Sequence, residues 1–282
     1  MIRQLTIVGL GLLGGSVAKA ARAQGLARTI VAVGRSATRL ESARADGSID
    51  RATTDLRDGL RGADFVILAA PVTAIEDMLE TVWGAAPLDA TLTDVGSAKA
   101  AIVRAAERLA AVRPIAFVGS HPMAGSEQSG YAVARADLFE GATVILTPTE
   151  RSVPEASKRV TEFWEALGAR VTVLEPEAHD RVVAAISHLP HLVAYALVES
   201  AARLCGPALE LAARGFKDTT RIAASDPRVW REIFLQNHSA LGDTLAAFRA
   251  ALVELESLIA ANAGDALERK LTDIRSIRER LA

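Results

Sequence analysis

Residues 9–16 read GLGLLGGS and lie between two segments of different character. Before them, residues 2–8 form a short apolar run that predicts a β-strand. After them, residues 17–23 are rich in alanine and have high helix propensity. Gly25 ends this predicted helix, and a second apolar run at residues 29–33 predicts the next strand. The order of strand, Gly-x-Gly-x-x-Gly loop, helix and strand is typical of a dinucleotide-binding unit.

The three glycines of this loop have separate physical functions. Gly9 permits a tight turn, Gly11 lets the backbone approach a pyrophosphate, and Gly14 lets the helix pack closely on the strand. The first helix turn then offers N–H groups and a positive dipole end to the phosphates. We therefore expect these glycines, with Leu12 and Leu13, to bind a dinucleotide. The alternative is a glycine-rich turn in an ordinary α/β domain.

The end of the second predicted strand bears on the choice of dinucleotide. NAD-binding folds usually place an acid about 20 residues beyond the loop, where it binds the ribose 2′-OH. Here residues 32–36 read AVGRS, and the first acid, Glu41, falls in the next predicted helix. Arg35 and Ser36, with Arg39, can instead bind a 2′-phosphate, although an arginine at this point is often a solvated surface charge. The sequence favours NADP over NAD.

Composition limits the class of protein. Half of the 282 residues are hydrophobic, and 34 acids and 32 bases are interspersed with a net charge of -2, so we expect no nucleic-acid surface. The single cysteine, Cys205, cannot form an intrachain disulfide, which fits a cytoplasmic setting. The N-terminal residues lack a signal-peptide pattern, and no stretch of about 18 apolar residues is free of charge, so we expect no membrane span.

Three predicted strands, at residues 63–71, 90–93 and 115–118, are followed by residues with special chemistry. Ala70 and Pro71 end the first, Ser97 follows the second, and His121 follows the third in a glycine-flanked loop. Because ligands bind at the carboxyl ends of strands in such sheets, we expect all four residues to border the cofactor or substrate. Ser97 is also predicted to cap a helix over residues 97–109.

The alternation of strands and helices stops near residue 176. Only helical patterns follow, at residues 177–205, 208–216, 227–261 and 264–281. We predict an α/β fold with a Rossmann-type, doubly wound sheet domain at residues 1–176 and an all-helical substrate and dimerisation domain at residues 177–282. Long helices with apolar faces usually bury them against a partner, so we expect a homodimer.

Three histidines are candidates for chemistry. His121 has the ordinary pKa range of a general base for an alcohol proton, and the alternative is a histidine that only bonds its loop. His188 and His191 share a face of a predicted helix, a spacing that can bind a metal ion. No cysteine or carboxylate cluster completes such a site, so a substrate-binding or structural role is favoured and no metal is expected.

A second polar segment, residues 215–227, lies between helical patterns. Arg221 offers a planar guanidinium suited to a carboxylate, unless it forms an ion pair with Asp218 or Asp226. Trp230 either walls a pocket or packs in the interior, and Asn237 is a weaker candidate for an amide contact to cofactor or substrate.

The chain resembles the prephenate/arogenate dehydrogenase family of tyrosine biosynthesis. The resemblance rests on GLGLLGGS at residues 9–16, TDVGSAK at 93–99, GSHPMAGSE at 119–127, SHLPH at 187–191, and residues 215–230. It implies oxidative decarboxylation of a cyclohexadienol that carries two carboxylates, with hydride transfer to NAD(P) and no metal.

The resemblance also implies roles for particular residues. The histidine matching His121 takes the proton of the ring hydroxyl, and the serine matching Ser97 hydrogen-bonds the same hydroxyl and histidine. The arginine matching Arg221 binds a substrate carboxylate. The residue matching His188 lines the pocket near the cofactor, and the one matching His191 contacts the substrate side chain and, in some members, tyrosine as inhibitor.

Glu127 matches a residue that helps to control access to the site, and Trp230 falls in the last matching segment. The compact chain has no room for the regulatory domain of some relatives, so any tyrosine inhibition is expected at the active site. Compactness, together with Arg35 and Ser36, is similar to arogenate-using members and favours arogenate over prephenate. Two alternatives stay open: a β-hydroxyacid-type NADP dehydrogenase that uses Lys217 as acid/base, and a non-catalytic NADP sensor.

Overall fold

The first half of the chain forms one twisted sheet with helices on both faces. A computed structural model describes residues 1–125 and 128–281, apart from the side chains of residues 205, 207 and 208. The strands in this part of the chain are β1 (Ile2–Val8), β2 (Ala27–Val33), β3 (Arg51–Thr53), β4 (Phe65–Leu68), β5 (Thr91–Asp94), β6 (Ala116–Pro122), β7 (Thr143–Thr147) and β8 (Arg170–Val173).

The strand order is β3-β2-β1-β4-β5-β6-β7-β8. β1 to β6 pair in parallel, so their carboxyl ends meet at one edge; Val8, for example, lies opposite both Val33 and Leu68. β7 runs antiparallel to β6 and parallel to β8. The sheet therefore has a parallel dinucleotide-binding part and a mixed edge.

Helices cover both faces of the sheet, as predicted for a doubly wound fold. These are α1 (Leu12–Ala23), α2 (Ala37–Ala45), α3 (Leu56–Leu60), α4 (Val72–Ala85), α5 (Ala100–Ala110) and α6 (Pro154–Ala166). One core packs α1, α2 and α6 on one face, and the other packs α3, α4 and α5 on the opposite face. Because successive strand residues point to opposite faces, Ile67 joins the first core while Val66 and Leu68 join the second.

The second half is helical, as predicted. It contains α7 (Pro176–Val183), α8 (Leu189–Cys205), α9 (Arg214–Thr220), α10 (Pro227–Gln236), α11 (His238–Ala260) and α12 (Gly264–Glu279). A π-helical turn, Ala184–His188, joins α7 to α8. The helix predicted over residues 227–261 is divided at Asn237, whose backbone (φ -106°, ψ 30°) departs from helical geometry.

Three local predictions were wrong, and one helix was missed. In place of the helix predicted over residues 208–216 and the inter-helix segment after it, a 3-10 helix spans Gly206–Leu211, α9 spans Arg214–Thr220, and a second 3-10 helix spans Arg221–Ala224. His121 lies within β6, opposite Ile145 of β7, and not in a loop, because the antiparallel pairing extends the strand to Pro122. Helix α5 begins at Ala100, so Ser97 is not its cap. The short helix α3, capped by the Asp55 carboxylate, was not predicted from the sequence.

The continuous helical stretch Pro176–Leu204 is long and apolar enough to cross a membrane when only length and composition are considered. Only 22% of its most apolar window is buried within one protomer. Further large apolar side chains are exposed on the other helices of this domain, including Leu252 on α11 and Ile277 on α12. The helical domain thus presents apolar surface that one protomer does not cover.

Candidate active site

A cleft of about 550 Å³ lies at the carboxyl ends of β1, β4, β5 and β6, where the helical domain faces the sheet. We call it the sheet-edge cleft. Predicted site residues in its lining are Gly11, Leu12, Leu13, Ala70, Pro71, Ser97, His121, His188, His191, Arg221 and Trp230. Segments up to about 220 residues apart in sequence therefore meet at the predicted edge.

The glycine loop fits a bound dinucleotide. Gly9 has φ +102°, and a Cβ there would lie 2.2 Å from the carbonyl oxygen of Ala69. A Cβ on Gly14 would lie 2.0 Å from the carbonyl oxygen of Gly9, so the start of α1 packs directly on the loop. A Cβ on Gly11 would meet open space, and α1 begins there without a side-chain cap. The first N–H groups of α1 can therefore bind phosphate.

Arg35 and Ser36, two of the three residues predicted to bind a 2′-phosphate, lie just beyond β2, and the third, Arg39, lies in α2. Arg35 is exposed, while Ser36 caps α2 by accepting from the backbone N–H of Arg39 at 3.4 Å. Asp55, which follows the neighbouring strand β3, accepts from the backbone N–H groups of Arg57 and Asp58 at the start of α3. This nearby carboxylate is therefore already used as a helix cap.

His121 is bonded to a second histidine that sequence reasoning missed. Its Nδ1 lies 2.9 Å from Nε2 of His179, and Nδ1 of His179 lies 2.8 Å from the Oδ1 atom of Asp180. His121 is only 7% exposed and His179 is fully buried. Burial, with the nearby His179 and Lys99, holds the pKa of His121 well below its ordinary value, so His121 is a neutral acceptor at pH 7.

Asp180, on α7 of the helical domain, also contacts the start of α5 in the sheet domain. Although burial works to raise its pKa, hydrogen bonds from His179 and from the backbone N–H groups of Lys99 and Ala100 hold that pKa below the usual range. These N–H groups bond the two carboxylate oxygens at 2.8 and 3.0 Å. A side chain of α7 therefore caps α5, the role that the sequence assigned to Ser97.

A buried ion pair lies beneath His121. The Lys99 ammonium contacts the Asp94 carboxylate and donates to the carbonyl oxygen of Ser120 at 3.0 Å, and neither charged side chain is exposed. The other Asp94 oxygen accepts from the backbone N–H of Ser120, the residue before His121, at 3.2 Å. The pair therefore fixes the strand end that carries His121, while Ser97 lies in the loop above it and lines the cleft.

His188 occupies the end of the π-helical turn. Asn237 donates one amide hydrogen to the carbonyl oxygen of Asp180 at 2.7 Å and another to Nδ1 of His188 at 3.1 Å. Burial lowers the pKa of His188 to about 4, so the ring is neutral, and its hydrogen is on Nε2. Asn237, predicted as a possible ligand contact, instead orients His188.

The remaining predicted residues form the outer wall of the cleft. The ring of His191 stacks on Trp230 with centroids 3.4 Å apart, and its Nδ1 lies 2.9 Å from the carbonyl oxygen of Ser187. Arg221 lines the same wall and is exposed. Its two predicted partners each pair with another arginine: Asp218 binds Arg214, and Asp226 binds Arg228. Glu127 lies outside the described residues.

Elsewhere in the described structure, a larger cleft lies away from the predicted residues. It has a volume of about 800 Å³ and is formed at the amino ends of β5 and β6, between α5 and α6. Its described lining includes none of the predicted site residues, so it is separate from the sheet-edge cleft. Within residues 1–125 and 128–281, no group of three or more His, Cys, Asp or Glu side chains is placed to hold a metal ion.

Sequence profiles of one family match both halves of the chain. The nucleotide-binding domain of prephenate dehydrogenase matches residues 17–173, and the dimerization domain of prephenate dehydrogenase matches residues 175–273. Cyclohexadienyl dehydrogenase of Zymomonas mobilis is 36% identical over 273 residues, which are 95% of this chain and 92% of that protein.

Solved structures agree with the sequence matches. Prephenate dehydrogenase from A. aeolicus, in complex with hydroxyphenyl propionate and NAD+, superposes with a TM-score of 0.93 at 36% identity, over 100% of this chain and 99% of that one. Synechocystis arogenate dehydrogenase superposes with a TM-score of 0.85 at 32% identity, over 99% of this chain and 100% of that one.

Proposed function

This chain belongs to the prephenate dehydrogenase family, and we propose that the sheet-edge cleft is its active site, with His121 as general base and Arg221 as carboxylate anchor. The enzyme is an NAD(P)-dependent dehydrogenase that oxidatively decarboxylates prephenate, arogenate or both. One observation supports the residue roles above all: the glycine loop, His121 and Arg221 line the same cleft. Lys217, the acid/base of the alternative dehydrogenase type, is exposed and is not among the lining residues.

The reaction needs a base, an anion anchor and a hydride acceptor. Bound NAD(P)+ supplies the hydride acceptor. His121 takes the proton of the ring hydroxyl as the hydride leaves the carbon that bears this hydroxyl. The bond between the ring and its carboxylate then breaks, carbon dioxide leaves, and the bonding electrons make the ring aromatic and place charge on the oxygen. His121 returns the proton to that oxygen, so no proton is exchanged with solvent during the reaction.

The other cleft residues hold the substrate in position for this step. Arg221 binds the side-chain carboxylate, and the stacked rings of His191 and Trp230 form a flat wall beside it. The Nε2–H of His188 is buried beside the cleft and has no hydrogen-bond partner among the described residues, so it is a donor in reserve for the substrate, and Ser97 offers a hydroxyl near the reacting oxygen. Glu127 keeps its proposed role in access to the site. Such fixed positions raise the rate by holding the reacting groups close together.

For the cofactor, we propose that the enzyme accepts NADP in preference to NAD. The support is the exposed Arg35 guanidinium beyond β2, together with the use of the neighbouring Asp55 carboxylate as a helix cap. A 2′-phosphate would gain a cation there, whereas a ribose 2′-OH would find no carboxylate at residues 34–36.

For the substrate, we propose that both prephenate and arogenate are accepted, with arogenate preferred. Both carry the carboxylate that Arg221 binds, and only arogenate carries an ammonium group. Of the described acids that line the cleft, Asp226 pairs with Arg228, and Glu232 accepts from the Thr73 hydroxyl at 2.7 Å. Asp226 lines the same cleft wall as Arg221, so we assign it to the ammonium group, which shares this carboxylate with the N-terminus of α10 and with the exposed Arg228.

We also propose the wider setting of the enzyme. Residues 1–176 form the dinucleotide-binding domain and residues 177–282 the substrate and dimerisation domain of a cytoplasmic homodimer. Tyrosine shares the aromatic ring and the side-chain carboxylate of the products, so it competes for Arg221 when it inhibits.

A two-by-two steady-state assay tests the cofactor and substrate proposals together. Prephenate and L-arogenate are each assayed with NAD and NADP, and the absorbance of the reduced cofactor is followed. We expect the highest kcat/KM for arogenate with NADP. A dominant rate with NAD would contradict the role of Arg35, and a dominant rate with prephenate would contradict the role of Asp226.

The His121→Asn variant tests the assignment of the base. We expect kcat to fall by roughly two to four decades, the usual range for loss of a general base, with little change in cofactor affinity. His238→Asn is the matched control, because His238 is exposed at the start of α11 and does not line the cleft. A wild-type rate in His121→Asn would remove the assignment.

A further inference from the structure

We propose that His179 and Asp180 are positioning residues for His121, which fix its tautomer and hold the charge that it gains with the substrate proton. This inference rests on the proposed role of His121 as base. We call the three side chains the histidine relay. They are joined by hydrogen bonds of 2.9 Å and 2.8 Å, and the rings of the two histidines meet edge to face at 5.1 Å.

The direction of each hydrogen bond in the relay follows from the two backbone N–H groups that bind Asp180, at the end of the relay opposite His121. The Asp180 carboxylate accepts from two backbone N–H groups, and these contacts keep it ionised, so it can only accept from His179. The hydrogen of His179 is therefore on Nδ1. Because burial keeps His179 neutral, its Nε2 carries a lone pair.

His121 must then donate from Nδ1 to this lone pair. In the neutral ring the other nitrogen, Nε2, has no hydrogen. Nδ1 faces His179, and the side chain of His121 lines the cleft, so Nε2 is the atom left for the substrate. The relay thus selects the one tautomer of His121 that can accept a hydroxyl proton, since the other tautomer would present an N–H to the substrate.

The relay also determines where the charge goes during the reaction. When the substrate O–H bond breaks and the Nε2–H bond forms, His121 becomes an imidazolium that still donates to His179. The Asp180 carboxylate, one ring further, offsets that positive charge. The relay holds the proton only until carbon dioxide leaves, because the proton then returns to the same oxygen. A fully buried His179 is consistent with this temporary storage, which needs no exchange with water.

Charged and titratable groups face His121 from several elements. His179 and Asp180 come from α7, Lys99 from the start of α5, and His188 from the π-helical turn. The Lys99 cation opposes protonation of His121, and Lys99 is itself paired with the buried Asp94 carboxylate. Asp180 is the carboxylate that reaches His121 through a hydrogen-bonded ring, which distinguishes it from Asp94.

Graded substitution at residue 179 tests the proposal. His179→Gln keeps an amide oxygen able to accept from His121 but has no second ring nitrogen for Asp180, and His179→Leu removes both bonds. We expect kcat to fall about 10-fold in the first variant and about 100-fold or more in the second, with KM and cofactor affinity within about twofold of wild type. Asp180→Asn should resemble His179→Gln in kcat. His238→Gln is the matched control.

Nitrogen-15 NMR of histidine-labelled enzyme gives a signature that a merely structural role would not change. His121 resonances are assigned by their loss in His121→Asn. We expect the hydrogen on Nδ1 of His121 in the wild type, and a mixture of tautomers in His179→Leu. Wild-type kcat in both 179 variants and in Asp180→Asn would overturn the inference, as would an Nε2–H tautomer of His121 in the wild type.

The outcomes also separate this inference from the proposed function. An active His121→Asn variant would remove the base, and with it the reason for a relay. An inactive His121→Asn beside fully active His179→Gln, His179→Leu and Asp180→Asn would leave the base in place and remove only the relay. If His179→Leu fails to fold, the His179→Gln and Asp180→Asn variants still decide the question. Parallel loss of kcat, cofactor binding and thermal stability in those two would assign them a structural role and overturn the inference.

Discussion

Single side chains in the cleft owe their protonation states to burial and to bonds with residues distant in the sequence. His188 is 1% exposed and is held neutral, with a pKa of about 4, because burial disfavours its charged form. Burial lowers the pKa values of His121 and His179 in the same direction. The neutral state of these rings therefore links the stability of the folded chain to pH.

We expect stability to fall on acidification before the carboxylates titrate. The unfolded chain takes up a proton on His188 near pH 6.5, whereas the folded chain resists until about pH 4. The contribution of His188 is fully present above pH 6.5 and is lost as the pH falls towards 4, at most about 3 kcal/mol. Urea unfolding at pH 7.5 and at pH 5 measures this loss. A smaller loss in His188→Gln is the control, and equal stability at both pH values would contradict the prediction.

Arg221 is the residue whose loss should separate binding from chemistry. Removing a charge-assisted hydrogen bond to a carboxylate weakens binding by about 1.5–3 kcal/mol, so Arg221→Ala should raise KM by about 10- to 100-fold and change kcat much less. The inhibition constant of tyrosine should rise in parallel if tyrosine binds the same anchor. Arg214→Ala, which removes an exposed arginine that does not line the cleft, is the control. An unchanged KM would place the anion anchor elsewhere.

At the scale of elements, the π-helical turn determines where His188 points. Pro190 has no N–H, so the carbonyl of Ile186 loses its α-helical donor, and the turn widens until Leu189 bonds Ala184, five residues earlier. The widened turn places His188 against Asn237 and the cleft. The sequence pattern predicted one regular helix here, because a hydrophobic period does not register a single inserted residue.

The Pro190→Ala variant tests this account. Alanine restores a donor and raises helix propensity, so we expect the turn to tighten and His188 to rotate away from Asn237. Because a displacement of about 1 Å can reduce a rate by about 100-fold, kcat/KM should fall by up to that factor, while the melting temperature is unchanged or higher. Pro227→Ala, at the first turn of α10 where proline is well tolerated, should leave kcat/KM unchanged. Wild-type kcat/KM in Pro190→Ala would contradict the account.

For the whole molecule, we expect a second protomer to cover the exposed apolar face of the helical domain. Residues 175–273 match the dimerization domain of the family, and Ile274 and Ile277, which follow that match on the same helix α12, are about half exposed in one protomer. We expect the double substitution Ile274→Glu and Ile277→Glu to convert the dimer to a monomer, as measured by light scattering after size exclusion. Val112→Glu, at an apolar residue 88% exposed in the sheet domain, is the control. A dimeric double variant would place the interface on other helices.

The sequence alone was sufficient to predict those parts of the molecule that short, local residue patterns encode. Glycine spacing predicted the dinucleotide loop, and the alternation of strands and helices predicted the doubly wound sheet. His121, His188 and Arg221 could be selected because they stand in short motifs, and the fold brings them to one cleft. His179 could not be selected, because its role depends on the packing of α7 against β6 and α5, which no local pattern encodes.

Asp180 lies in the helical domain, whereas His121 lies in the sheet domain, and this separation limits which enzymes of this family can exchange whole domains. A recombinant joined near residue 175 would pair the β6 histidine of one parent with the α7 carboxylate of another, and it would work only where both parents pack α7 against α5 at the same depth. Dinucleotide preference, which we place at Arg35 and Ser36, lies far from this junction. Single substitutions can therefore change the cofactor preference. Exchange of whole domains, in contrast, should give active enzymes only between relatives in which α7 packs against α5 in the same way.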